Sequence, residues 1–204
     1  MTKGIIHSGP MVRAYLDGSK TQTRRLISDQ PSQMDEAYFS HFRKDFGGRK
    51  CPYGQVGDLF YVRETWADLY DLRSSDPGPT ALIAKVFYKA DYPEGLYHSD
   101  DGSALKWRPS IHMPRKFARI WREITGIRVE RVQDISEADA KAEGVERLGG
   151  LWKCYENCAI HKRGYNKRTS ASASFMSLWT TIYGPEAWER NEWVWVIESK
   201  EARG

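Results

Sequence analysis

The segment Gly18-Ser19-Lys20-Thr21-Gln22-Thr23-Arg24-Arg25 brings one lysine, two threonines and two arginines together, directly after a short amphipathic run. A lysine three residues before a threonine can grip a phosphate, or it can act as a base beside a nucleophile. A threonine hydroxyl attacks only when a neighbouring base takes its proton. A lysine serves as that base only when burial or nearby cations lower its pKa. The segment therefore predicts either a phosphate-binding turn or a catalytic pair.

The composition is typical of a globular protein of one domain. The chain has 204 residues, of which 40% are hydrophobic and 28% are charged, enough to bury a core. No apolar run approaches membrane-spanning length, and the first residues lack the apolar core of a signal peptide. We therefore expect a cytoplasmic protein with no membrane partner. Three cysteines argue against a disulfide framework.

Basic residues are unevenly distributed and form three clusters, although the net charge is only +4. One cluster lies between Trp107 and Arg131, a second contains Arg13, Lys20, Arg24 and Arg25, and a third contains Lys162, Arg163, Lys167 and Arg168. Nucleic acid is the natural partner for such clusters, because phosphate contacts release counterions and aromatic side chains stack on bases. The alternative is a set of solvated strand faces. The basic residues between Trp107 and Arg131, inclusive, are Arg108, Arg115, Lys116, Arg119, Arg122, Arg128 and Arg131.

Hydrophobic periodicity and turn residues predict the α+β class. The apolar spacing, caps and glycines favour short helices, and runs of β-branched and aromatic residues favour strands. We expect a small β-barrel with flanking short helices, in one domain over 1–204, with insertions at about 66–107 and 145–172. The predicted helices are 10–17, 137–143 with Ser136 as N-cap, and a last one carrying Phe175 to Ile182; the predicted strands are 23–27, 57–64, 82–90, two within 116–132 joined near Thr125-Gly126, and 193–197.

Several segments resemble the ASCH domain family. The segments that resemble the family are Gly18–Thr23, the Gly57-Asp58 pair that opens a strand, and residues 134–144. Residues 107–115 and 191–198 are similar to larger ASCH proteins of phages and prophages. The resemblance extends over about 3–133, the helix that follows and the C-terminal strand, but it leaves out the insertions. It implies a PUA-like β-barrel with a cleft beside the lysine-bearing loop.

The resemblance also implies a chemistry. The best-defined activity among ASCH relatives is hydrolysis of the acyl amide of N4-acetylcytidine. Those amidohydrolases are similar to this chain at Lys20, Thr23, Arg25 and Glu143. Thr23 would be the nucleophile, Lys20 its base, Glu143 a proton shuttle or orienting group, and Arg25 an electrostatic aid. Arg24 and Arg25 would lower the pKa of Lys20, whereas a nearby Glu143 carboxylate would raise it.

Two other functions use the same basic cleft. The chain can be a non-catalytic reader that holds a flipped or single-stranded base of RNA or DNA. It can also be a ribonuclease, in which Lys20 and the basic stretch stabilise a phosphorane. The expected ligand is a modified nucleoside or a single-stranded nucleic acid, and no cofactor is required. The candidate binding residues are Arg24, Glu64, Arg108, His112, Arg115 and Lys116.

The cysteines allow one metal site. Cys154 and Cys158 are followed by His161, and Cys51 lies far away in the sequence. Together they match a structural Cys₃His zinc site that would fix the second insertion to the barrel, although zinc ligands are usually spaced more tightly. Reduced thiols without a metal are the alternative.

Overall fold

The helices and strands of the chain form a mixed α+β architecture. The structure is a computed structural model and describes residues 2–28, 30, 49–68, 86–94, 105–156 and 167–202. Within these ranges none of the helices has the length and apolar content needed to cross a membrane. The helices are α1 (Gly9–Leu16), α2 (Glu137–Ala142) and α3 (Ala171–Tyr183). The strands are β1 (Lys3–Ile6), β2 (Gln22–Leu26), β3 (Leu59–Arg63), β4 (Trp66–Asp68), β5 (Val86–Tyr88), β6 (Trp121–Arg131), β7 (Arg147–Leu148), β8 (Leu151–Lys153), β9 (Lys167–Arg168) and β10 (Trp193–Glu201).

Five strands form the main sheet, in the order β1-β3-β6-β10-β2. The β1 and β3 strands are parallel, and the other neighbours are antiparallel. The described strands form an open sheet whose edges are β1 and β2. The predicted α+β class is therefore confirmed, and closure into a barrel is not.

The main sheet is covered on both faces because its strands are apolar on both. Side chains alternate between the two faces of a strand. All five residues of β10 from Trp193 to Ile197 are buried, so both faces of this strand are covered. The α1 face carries Phe60, Val62, Ile124, Trp195 and Ile197, which pack in one cluster with Val12 and Tyr15 of α1. The α3 face carries Val194 and Val196, which pack with Phe175, Leu178 and Trp179 of α3.

Most of the predicted elements are present. The helix predicted over 10–17 is α1, and the one predicted over 137–143 is α2. The hydroxyl of Ser136 caps α2 by accepting a hydrogen bond from the Asp139 N–H at 3.0 Å. The last helix and the C-terminal strand are confirmed as α3 and β10.

The prediction of two strands within 116–132 was wrong. A single strand, β6, runs from Trp121 to Arg131 and includes Gly126. Its register against β10 shifts between Glu198 and Ser199, beside Gly126. A Cβ at Gly126 would lie 2.7 Å from Oε2 of Glu198. This glycine therefore allows a close side-chain approach at a bulge and does not form a turn.

Both predicted insertions contain small sheets. In the first, β4 pairs with β5, and Trp66 bridges to Arg108. The strand predicted over 82–90 is described only from residue 86, because 69–85 lies outside the described residues. Residues 86–88 form β5, and 89–90 belong to a short 3₁₀ helix. In the second, β7, β8 and β9 form a three-stranded sheet. The single domain with two insertions stays a prediction.

Candidate functional site

Lys20 lies in a turn that is tied to two helices. Gly18 ends α1 with a φ of 80°, a left-handed conformation that glycine adopts without strain. The Lys20 N–H then donates to the Ala14 carbonyl at 2.8 Å, and the Thr21 N–H donates to the Ala142 carbonyl at 2.9 Å. Because both neighbouring helices hold the turn, the Lys20 side chain is directed inwards, where only 1% of the residue is exposed.

The ammonium of Lys20 uses all of its hydrogen-bonding capacity inside the protein. Nζ donates to the Gln22 carbonyl at 2.7 Å, to the Glu143 carbonyl at 2.6 Å and to Oε2 of Glu143 at 2.9 Å. An ammonium has three N–H groups and no acceptor. Lys20 in its charged form is therefore saturated by two backbone carbonyls and one carboxylate.

Opposing influences act on the pKa of Lys20. Burial lowers it most strongly, the Glu143 carboxylate raises it, and Arg25 and Arg24 lower it further. The net result is a pKa below the ordinary lysine value. The sequence left this balance open, and burial of the side chain decides it.

Thr23 forms no hydrogen bond with Lys20 or Glu143 among the described residues. In β2 it pairs with Ile197 of β10, whereas Arg24 pairs with Val196. Since Ile197 lies on the α1 face and Val196 on the α3 face, Thr23 and Arg24 lie on opposite faces of the sheet. None of the three Lys20 hydrogen bonds reaches Thr23. The predicted base and nucleophile are not bonded in this structure.

Arg25 lies on the α1 face with Thr23. Its Nη2 donates to the Ile6 carbonyl at 2.6 Å and lies 3.4 Å from Nε2 of His7. The His7 ring is buried and meets the Tyr15 ring edge-on at 5.0 Å between centroids. Burial, and then the charges of Arg25 and Lys20, hold the pKa of His7 well below 6.5. Sequence reasoning missed His7, because nothing near it in the chain marks it as buried.

Arg24 is an interior residue, not a surface one. None of its side chain is exposed, and its guanidinium pairs with Glu143 Oε1 at 3.2 Å, with Asp139 Oδ2 at 3.4 Å and with Glu130. It was predicted to contact nucleic acid, but this position gives it no access to a phosphate. Of its three carboxylate partners, Glu130 lies on β6, Asp139 lies on α2 and Glu143 is the residue that follows α2.

Arg128 of β6 pairs with two of the carboxylates that also contact Arg24. Its guanidinium pairs with Glu130 Oε2 at 3.1 Å and with Asp139 Oδ1 at 3.0 Å. Arg128 and Glu130 are two residues apart in a strand and so share the α3 face with Arg24. The spacing of two residues between Arg128 and Glu130 was the sequence signal that could have placed them on the same face of one strand. Lys20, Arg24, Arg128, Glu130, Asp139 and Glu143 form what we call the ionic cluster.

Four predicted binding residues lie together on a surface segment, residues 108–117, which we call the basic segment. It contains two short 3₁₀ turns, Ser110–His112 and Arg115–Phe117. His112, Arg115 and Lys116 are exposed. The cations lie against aromatic rings: Arg115 is 5.0 Å from the Trp121 centroid and Lys116 is 4.9 Å from that of Phe117.

Arg108 begins the basic segment. Its guanidinium lies 5.2 Å from the Trp66 centroid, and its backbone forms two hydrogen bonds with Trp66. Salt bridges among the described residues involve neither Arg115 nor Lys116. The basic segment therefore presents at least two cations whose charges the protein itself does not neutralise in the part of the chain that the structure describes.

Glu64 lines a cleft of about 320 Å³. Its carboxylate accepts two hydrogen bonds from Arg119, at 2.8 and 2.9 Å, and burial raises its pKa against the opposing effect of Arg119. Only 1% of Glu64 is exposed, so a ligand reaches it only through the cleft. The cleft is lined by Gly9, Pro10, Arg13, Glu64, Thr65, Lys89, Ala90, Tyr92 and Pro93.

The structure does not test the zinc site. Cys51 is half-buried and Cys154 is buried, whereas Cys158 and His161 lie outside the described residues. Within the described ranges, histidines, cysteines and carboxylates form no group of three that could hold a metal. The Cys₃His set stays a prediction.

Comparisons with known proteins give one structural similarity. The chain is similar to the crystal structure of an ASCH domain from Lactobacillus crispatus JV V101, with 12% sequence identity and a TM-score of 0.35. The alignment covers 98% of this chain and 79% of that chain. No protein-family model and no curated protein matches the sequence. A similarity this low carries no conclusion about ligand or activity.

Proposed function

We propose that the chain binds single-stranded nucleic acid through the basic segment and that the Lys20–Glu143 pair has a structural role. The observation that carries the proposal is a contrast in exposure. Arg115 and Lys116 are exposed and form no ion pair among the described residues, whereas Lys20 is buried with three protein acceptors and Arg24 is buried and paired with carboxylates.

Exposed cations are the ones that can meet a phosphate backbone. Each phosphate contact releases a condensed counterion, which is the main source of affinity for nucleic acid. The aromatic rings beside Arg115 and Lys116 hold these long side chains at the surface, and their order lowers the entropy lost on binding. The ASCH resemblance also agrees with a nucleic-acid ligand.

Binding by Lys20 would require its buried contacts to break. Removing one partner from a buried ion pair costs several kcal/mol, about 3–5 in measured cases. A phosphate at the surface does not repay that cost when unpaired cations are already exposed. The ionic cluster therefore serves to hold β2, β6 and α2 together.

The test is binding of a fluorescein-labelled single-stranded RNA and DNA, measured by anisotropy at about 50–300 mM salt. The variant R115Q/K116Q should bind more weakly, with the slope of log K against log salt reduced by about 1.4 for two lost contacts. The matched control is K141Q/R147Q, which removes two cations that also lie against a ring, that of Trp152, at 6.0 and 5.2 Å. No binding at low salt, or equal losses in the two variants, would contradict the proposal.

A second candidate function is the amide hydrolysis implied by the ASCH resemblance. The 2.9 Å contact of Lys20 with Glu143 and the lowered pKa of Lys20 favour it. For this reaction Lys20 would have to be the neutral amine, leave the Gln22 carbonyl and take the proton of Thr23 as the Thr23 oxygen attacks the acyl carbon. The amine of cytidine would leave with that proton, and water would then hydrolyse the acyl-threonine ester, which releases the acid and restores Thr23. The assay is release of cytidine from N4-acetylcytidine: turnover that is lost in both K20M and T23V supports hydrolysis, and absence of turnover by the folded wild type excludes it for that substrate.

A further inference from the structure

Two aromatic residues are paired on the main sheet outside its hydrophobic cores. Tyr61 of β3 and Trp121 of β6 are register partners. Their ring centroids are 5.5 Å apart, with an interplanar angle of 39°. Both residues are partly exposed, and neither belongs to the clusters that fill the α1 and α3 faces. The pair therefore has no packing role in the described core.

Gly4 makes room for this pair. In the parallel β1–β3 ladder, Gly4 is the partner of Tyr61. A Cβ at Gly4 would lie 2.7 Å from Cζ of Tyr61, 2.8 Å from its Oη and 2.6 Å from Cδ of Arg63. These distances are too short for any side chain, so the Tyr61 ring lies across β1 in the space that the glycine leaves. Gly4, Tyr61 and Trp121 form a row across three strands, which we call the aromatic row.

The indole of Trp121 is fixed in place. Its Nε1 donates to the Ala118 carbonyl at 3.1 Å, and the guanidinium of Arg115 lies 5.0 Å from its centroid. Arg63, which follows Tyr61 on the same side of β3, donates to the Ile111 carbonyl of the basic segment. The aromatic row thus adjoins the basic segment through two contacts.

The charge around the aromatic row is positive. Arg63 and Arg115 lie along its border, and Lys116 follows Arg115 in the basic segment. The acidic residue nearest to it on β6, Glu123, is neutralised by Lys200 at 3.3 Å. Cations beside exposed aromatic rings complement a ligand that has phosphates and flat bases, because each base can stack on a ring while its phosphate meets a cation. A neutral apolar partner would leave these cations desolvated and unpaired.

We propose that the aromatic row is a base-stacking platform, on which Tyr61 and Trp121 each stack a base of the single strand whose phosphates the basic segment binds. The proposal rests on the proposed function and adds the recognition of bases to it. Stacking on an aromatic side chain tolerates all four bases. We therefore expect a preference for unpaired bases over duplex, with little preference among sequences.

The experiment compares an oligothymidylate of about twelve nucleotides with an abasic oligomer of equal length, each labelled and measured by anisotropy at the same salt. Wild type should bind the oligothymidylate about tenfold or more tightly than the abasic strand, because each stacked base contributes to the affinity. Y61L/W121L should lose most of this ratio and keep its affinity for the abasic strand. R115Q/K116Q should weaken the binding of both strands.

A second variant keeps the test independent of folding defects. G4A leaves both rings in the chain but displaces the Tyr61 ring, so it should also reduce the ratio, and its thermal unfolding shows that the fold persists. Equal affinity of wild type for both strands would overturn the platform and leave phosphate binding by the basic segment standing. No binding of either strand would overturn both proposals. A ratio unchanged in G4A and in Y61L/W121L would also overturn the platform.

Discussion

Lys20 Nζ and Glu143 Oε2 are 2.9 Å apart although the two residues are separated by 123 positions in the chain. The contact joins the turn before β2 to the residue that ends α2, and both side chains are almost wholly buried. Buried charges are tolerated when they are paired and hydrogen-bonded. The ASCH resemblance assigns these two residues to one site, and in the fold they are in direct contact.

The first prediction concerns the stability that depends on this contact. K20M should lower the free energy of unfolding by about 3–5 kcal/mol, because it leaves the Glu143 carboxylate and two carbonyls without their donor. Urea unfolding monitored by circular dichroism measures the change. The control is K200M, which removes a lysine whose side chain is 62% exposed and which pairs with Glu123; it should cost about 0–1 kcal/mol. Equal costs in the two variants would contradict a structural role for Lys20.

The second prediction is energetic coupling between the two residues. In a double-mutant cycle, K20M and E143Q should each destabilise, and the double variant should lose less than the sum by about 1–3 kcal/mol. The reason is that each single variant leaves a buried partner unsatisfied, whereas the double variant removes both charges. T23V with K20M is the comparison pair, and it should be close to additive because no hydrogen bond joins these residues. Strong coupling of Lys20 with Thr23 would instead favour the hydrolase.

The third prediction is a loss of stability as the pH falls below about 6.5, caused by His7. In the folded state its pKa is held well below 6.5 by burial and by two neighbouring cations, so below pH 6.5 the unfolded chain binds a proton that the folded chain does not. Stability is then present above this range and falls by at most about 1.4 kcal/mol per pH unit. Unfolding by urea from pH 8 to pH 5 measures the slope.

The matched variants for this prediction are H7Q and H112Q. H7Q should flatten the slope between pH 7 and 5, whereas H112Q, which changes an exposed histidine, should keep it. If H7Q retains the wild-type slope, another group causes the pH dependence.

The fourth prediction concerns Gly144, which follows Glu143 with a φ of 82°. A Cβ there would lie 2.7 Å from Cβ of Ala14 and 2.9 Å from Cβ of Lys20. G144A should therefore cost about 2–4 kcal/mol, from left-handed backbone strain and overpacking together. Gly149 has a φ of 66° but nothing within 4 Å of such a Cβ, so G149A should show the backbone strain alone, about 1–2 kcal/mol. Thermal or urea unfolding of the two variants gives the packing contribution as their difference, and equal costs would exclude it.

Local signals were enough to predict several elements. Ser136 and Gly144 bound the α2 region in the sequence as they do in the structure, since caps and left-handed turns depend on neighbouring residues. Gly126 was misinterpreted because a glycine in a strand can mark a turn, a bulge or a close approach. Only the position of Glu198 on the neighbouring strand distinguishes these cases.

The candidate site was predictable in part. The resemblance to ASCH amidohydrolases predicted a common site for Lys20, Thr23 and Glu143, and the structure brings Lys20 and Glu143 together. The position of Thr23 depends on the register of β2 against β10, which a sequence does not give. For the same reason Arg24 was predicted to bind nucleic acid, whereas the structure pairs it with Glu130 and Asp139, more than a hundred positions away in the chain.

The place of β10 between β6 and β2 in the main sheet has a consequence for the order of folding during synthesis. This strand pairs with both β6 and β2, and among the described strands it is the partner of β2. Until residues 193–201 have left the ribosome, β2 and one edge of β6 have no neighbour with which to pair. The turn that carries Lys20 is synthesised before β3, β6 and β10, yet β2 can pair with its neighbour only after β10, the last of the described strands, has been made.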